Sequence, residues 1–103
     1  ADPLFLKEVI DVFLQSLPQF LTEVDLALQQ SQPQKLRSIV HKFKSSTRHL
    51  GALQLSELCL QTERMIKEGS FTPHLLADKV TDICRQSRAL EEELQVLRQE
   101  LVC

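Results

Sequence analysis

A chain of 103 residues, 43% of them hydrophobic, suffices for one domain with a modest core. Its formal net charge of −2 excludes bulk attraction to nucleic acid or anionic lipid. No apolar run approaches the roughly 18 residues of a membrane span, and no stretch reads as a signal peptide.

Two glycines, four prolines and the lack of tyrosine and tryptophan point to helices without sheets. Residues 3–17 carry Leu4, Phe5, Val9, Val12, Phe13 and Leu17 as a helical stripe, which Pro18 is expected to break or kink. Residues 19–30 repeat the pattern with Phe20, Leu21, Val24, Leu26 and Leu28. Ser31 and Pro33 read as an N-cap and a first-turn proline of a third helix that runs to about Leu50, where Gly51 ends it. A fourth helix spans 53–68, with Leu55, Leu58, Cys59, Met65 and Ile66 inward and Gly69 closing it. Thr72-Pro73 opens the last helix, which reaches about Val102, and Leu90, Leu94, Leu97 and Leu101 form a short heptad seam along it. Short connections predict antiparallel neighbours. The expected fold is all-α: an up-and-down antiparallel four-helix bundle with an additional N-terminal helix, in one domain over 1–103.

Three cysteines, Cys59, Cys84 and Cys103, show no Cys-x-x-Cys spacing. The first two read as small buried hydrophobes and the last as a free end, which suits a reducing compartment. The histidines His41, His49 and His74 share no metal-ligand spacing, so no metal site is expected.

Charge is unevenly spread. No acidic residue lies between Asp25 and Glu57, whereas Lys35, Arg37, Lys42, Lys44 and Arg48 do. Acids gather elsewhere, notably at Glu91–Glu93, which read as a solvated face. With His41 at zero on a helical wheel, Arg37, Arg48, Lys44 and Ser45 fall at about −40°, −20°, −60° and +40°. Leu36, Ile39, Phe43 and Leu50 lie opposite, at about −140°, 160°, −160° and 180°. The third helix thus buries one side and presents an imidazole among cations on the other, with no compensating acid in that window. A neutral imidazole nitrogen can attack phosphorus, and the cations stabilise negative charge on a transferring phosphoryl group. Ser45 and Ser46 leave the ring sterically open; a hydrolase pairing of His41 with Ser45, Ser46 or Thr47 is disfavoured because no acid in the window orients the imidazole. His49, at about +80°, reads as a rim residue, and His74 as exposed.

The run His41-Lys-Phe-Lys44-Ser45-Ser-x-x-x-Leu50-Gly51-Ala52 resembles the signature of histidine-containing phosphotransfer (HPt) domains of two-component phosphorelays. The Leu17-Pro18-x-Phe20-Leu21 run resembles the family's opening helices, and Leu55-x-x-Leu58-Cys59 with Glu63 its next helix. The resemblance implies a phosphorelay carrier: His41 would accept a phosphoryl group from a receiver-domain aspartyl phosphate and pass it to a response-regulator aspartate, and Lys44 would steady that group. Ser45 departs from the usual glycine, and Thr62 from the usual leucine before Glu63. Arg37, Ser45 and Arg48 are the candidate partner-binding residues. The partners implied are receiver domains of a hybrid histidine kinase or of a response regulator. Mg²⁺ belongs to the receiver, and no cofactor is expected on this chain.

No nucleotide-binding motif occurs, so the domain is not expected to be an ATP-dependent kinase. It is expected to be a monomer in the cytoplasm, without membrane contact of its own, either free or as the cytoplasmic C-terminal domain of a membrane-bound hybrid sensor kinase. The main alternative is a non-catalytic helical module that docks a protein partner through the basic third helix; no aromatic stacking residue on that face supports nucleic acid. A sensor-kinase dimerisation domain would need an acid directly after the histidine, where Lys42 stands.

Overall fold

The computed structural model describes residues 2–102, and every regular element in them is helical. Helix α1 spans Pro3–Gln29, α2 Pro33–His49, α3 Leu53–Glu68 and α4 Pro73–Val102. Each packs on its neighbours in the chain, and α4 returns to α1, which closes the bundle around one core. Turns of three or four residues make successive helices antiparallel. This is the expected up-and-down bundle, without the additional N-terminal helix.

The segments expected as two helices before residue 31 are one, with Pro18 inside α1. A helix-interior proline lacks the N–H that would bond the carbonyl four residues back, at a cost of about 3 kcal/mol. Pro18 faces solvent, while the buried stripe Ile10, Phe13, Leu17, Phe20, Val24 and Ala27 runs past it without a change of face. Burying one large apolar side chain stabilises by about 1.5–3 kcal/mol. Several along one face outweigh a single missing bond.

Ser31 also differs from its expected role. It does not cap α2, whose N-cap is Gln32 with no side-chain bond. It ends α1 in the left-handed region at φ 53°. The Ser31 N–H bonds the Leu28 carbonyl (3.2 Å) and the Gln32 N–H the Ala27 carbonyl (2.9 Å). That is the Schellman pattern, usually built on glycine. Gly51 ends α2 in the same way, with Gly51 N–H on Arg48 (3.0 Å) and Ala52 N–H on Thr47 (2.9 Å). The N-cap expected at Thr72 is present: its hydroxyl accepts the Leu75 N–H at 3.1 Å.

The rotation of α2 about its own axis positions the site. Its buried residues are Leu36, Val40, Phe43 and Thr47. On the wheel defined above, their centre lies at about −130°, some 40° from that of the residues expected inward. Ile39 and Leu50 are only half-buried. Phe43 is held between two rings of α1, with centroids 5.6 Å from Phe13 and 3.5 Å from Phe20. That anchor turns the Lys44 side of α2 towards α3.

The α2–α3 seam is lined by small side chains: Thr47, Ser56, Cys59 and Thr62 are all buried. Their hydroxyls are satisfied by backbone. Thr47 donates to the Phe43 and Lys44 carbonyls (3.1 and 3.0 Å), Ser56 crosses the seam to the Lys44 carbonyl (3.2 Å), and Thr62 donates to Leu58 (2.9 Å). Burial pushes the Cys59 thiol up to about 12, so it is packing and not a nucleophile. Cys84 is half-buried and raised by the same cause; Cys103 lies outside the described residues.

Helices α1 and α4, about 40 and 45 Å long, outrun α2 and α3 at about 25 Å. Their ends continue past the Leu50–Ala52 turn as a two-helix stem. There Asp11 accepts from Lys7 (2.7 Å) and from Arg98, and these bonds draw its carboxyl below the ordinary range. Leu94 of the heptad seam is buried, and Leu90 and Leu101 are half-buried against the core.

Ser31→Gly removes the left-handed penalty at the end of α1, which for an L-residue is about 1–2 kcal/mol. Chemical denaturation should show the variant more stable by up to about 1 kcal/mol; an unchanged or lower midpoint would remove the strain from this turn.

Candidate functional site

His41 stands midway along α2, in its third turn, on the side away from Phe43, with 61% of its side chain exposed. A rigid helix carries it, and neighbouring turns leave it open. Ser45, one turn on, is exposed beside it.

The acid absent from the α2 sequence arrives from α3. The His41 Nδ1–H donates to Glu63 Oε2, and Lys44 Nζ donates to Glu63 Oε1 at 2.8 Å. The Glu63 side chain is only 12% exposed, and Lys44 is mostly covered at 23%. Burial alone would raise the Glu63 carboxyl. Hydrogen bonds from Lys44 and His41, with the positive charge beside it, more than reverse this and hold it below the ordinary glutamate range. An ionised carboxylate only accepts, so the proton on this edge of the ring sits on Nδ1. The lone pair is then on Nε2, the nitrogen away from Glu63. The expectation of a basic face without a compensating acid is therefore corrected: one carboxylate ties the histidine and the lysine together.

Sequence reasoning did not assign Glu63 to the site, because the contact spans 22 residues. A signal was present. Glu63 follows the buried Thr62 at the edge of the inward stripe Leu55, Ser56, Cys59, Thr62 and Ile66. An acid there, on the helix next to an acid-free cationic one, is a candidate partner.

The other expected residues separate. Arg37 is half-buried and lines a shallow hollow of about 280 Å³ with Gln34, Ser38, His41 and Glu63. Its Nη1 donates to Gln34 Oε1 at 3.4 Å. Arg48, two turns beyond His41, is exposed and does not line that hollow. His49 is exposed and edges a separate apolar groove formed with Phe5, Val9 and Val12 of α1. His74 is exposed, 3.6 Å from Asp78. Among the described residues, no three His, Cys, Asp or Glu side chains group to hold a metal ion. The arrangement offers one open nucleophilic nitrogen, its proton held on the far edge of the ring, with two cations nearby.

A family model for the Hpt domain matches residues 8–101. No curated protein and no solved structure matches the chain.

Because the folded Glu63 carboxyl lies below its ordinary value, its ionised form stabilises the fold above that value, near 4.5, and the contribution fades as pH falls through the folded value. Glu63→Gln should therefore lower stability at neutral pH, and its difference from wild type should close as pH falls below the ordinary glutamate value. Denaturation curves across pH 3–7 check this; a pH-independent gap would show that the carboxylate charge contributes nothing.

Proposed function

The chain belongs to the Hpt domain family, and from that premise we propose that His41 is its phosphoryl-accepting residue in a relay between receiver domains. Domains of this family are phosphocarrier modules of two-component systems, not kinases, and their partners are receiver domains. The observation that carries the assignment is the Glu63 contact, which occupies Nδ1 of a ring whose side chain is 61% exposed and so leaves Nε2 as the nitrogen open to a partner.

In the forward step the Nε2 lone pair attacks the phosphorus of a receiver's aspartyl phosphate. The bond from phosphorus to the aspartyl oxygen breaks, and its electron pair leaves on the carboxylate. The ring then bears phosphorus on Nε2 and its original proton on Nδ1, and the Glu63 carboxylate offsets the positive charge this develops. In the onward step a second receiver's aspartate attacks the same phosphorus, and the N–P electron pair returns to Nε2. Phosphoryl transfer depends mainly on position and electrostatics, so one oriented histidine suffices when the receiver brings Mg²⁺ and the aspartate. Lys44 shares Glu63 with the imidazole, which holds the carboxylate against Nδ1 and keeps a positive charge close to the site.

This geometry favours the carrier over a docking module. A basic helix serving only as an adhesive patch has no use for a partly buried acid that consumes its central lysine. We read the domain as a monomer in the cytoplasm without a cofactor of its own. Among the described residues no helix is long and apolar enough to cross a membrane.

Label should pass from a phosphorylated receiver to this chain, stable to alkali and labile to acid, and vanish in His41→Gln; label persisting in that variant would overturn the assignment. Lys44→Ala should slow transfer by about tenfold or more, since it frees Glu63 and removes a cation. An unchanged single-turnover rate would exclude Lys44 from the step.

A further inference from the structure

We propose, on the reading of His41 as the phosphorylated residue, that Arg37 seats the phosphoryl group carried on Nε2, while Lys44 chiefly holds Glu63. Two cations could serve the phosphoryl group, and their surroundings differ. The Lys44 ammonium lies 2.8 Å from Glu63 Oε1, with its side chain mostly covered. Arg37 has no carboxylate within 4.0 Å among the described residues. Its one side-chain bond, to Gln34 at 3.4 Å, is long and readily exchanged for a stronger acceptor.

Position agrees with charge. Arg37 precedes His41 by one helical turn, and helical side chains lean towards the N-terminus, so the imidazole leans over Arg37 and Ser38. Those residues line the hollow of about 280 Å³ that also contains His41 and Glu63. A phosphoryl group on the ring therefore has a guanidinium on one side and the Glu63 carboxylate on the other. The carboxylate repels it, which makes a cation on the open side necessary. A guanidinium presents a planar fork that bonds two phosphoryl oxygens at once, and the Ser38 hydroxyl adds a small donor. Arg48 is too far along the helix to share this task. Drawing electron density from the phosphoryl oxygens also slows loss of the group by N–P cleavage, so the seat lengthens the life of the phosphohistidine.

The test labels His41 in the full chain with potassium phosphoramidate, which needs no receiver, and follows the ³¹P signal against pH and time. Arg37→Ala should raise the phosphoryl titration midpoint by about half a pH unit or more and shorten the phosphohistidine half-life about threefold, because the dianion loses the guanidinium that lines its hollow. Arg37→Lys should restore part of both, and Arg48→Ala should match wild type. Circular dichroism confirms the fold of each variant. Wild-type values for Arg37→Ala, an equal shift from Arg48→Ala, or the whole shift from Lys44→Ala would each overturn the seat, as would failure of His41 to take the label. Failure of the carrier reading shows separately, as label that forms from phosphoramidate but never from a phosphorylated receiver.

Discussion

The rotation of α2 about its own axis is the constraint on which the site depends, and Phe43 sets it. Its ring lies between Phe13 and Phe20 of α1, so α2 can turn neither way without losing aromatic contact and leaving a void, and large cavities of that kind cost several kcal/mol. Once Phe43 faces α1, the helical period leaves the next residue, Lys44, no direction but the α3 seam. His41, one turn back, is left on the outer ridge. Hydrophobic packing on one side of the helix thus aims the polar chemistry on the other.

The seam completes the arrangement through smallness. Thr47, Ser56, Cys59 and Thr62 let the α2 and α3 backbones approach, and hydroxyl bonds into the helices' own carbonyls leave no buried side-chain polar atom without a partner among the described residues. The Ser56 hydroxyl reaches across to the Lys44 carbonyl, which pins the register between the helices. Two turns further along α3, Glu63 then meets both His41 and Lys44. Leucine at position 62, the residue the family resemblance led us to expect, would place a larger side chain in this seam. Threonine trades that volume for closeness. A partly buried carboxylate is tolerable here because two donors compensate its lost hydration, which either alone would do less well.

Much of this was legible from the sequence, and the residues that were not share a cause. Helix count after residue 31, the turn at Gly51, the cap at Thr72 and the outward face of His41 all follow from local periodicity and end signals. Pro18 misled because its cost is local, whereas the stripe that overrides it draws on contacts from α2 and α4. Ser31 misled because serine before a proline usually starts a helix, and here it ends one with the backbone geometry of glycine. The apparent centre of the α2 apolar face included Ile39 and Leu50, since their hydrophobicity is visible but their neighbours are not. Glu63 escaped for the same reason. Its partner is distant in the chain, and only the packed seam reveals that the acid-free helix is not free of acid.

The imidazole sits on the convex outside of a helix, edged only by a shallow hollow and not enclosed by a cleft. A concave site can keep one partner while admitting another; a ridge offers a single line of approach. Any two partners that need the same nitrogen must exclude each other, so handover requires the first to leave before the second arrives. In the proposed relay the interval between those visits would be spent in open water, where the few side chains around the ring would be the carried group's sole shelter.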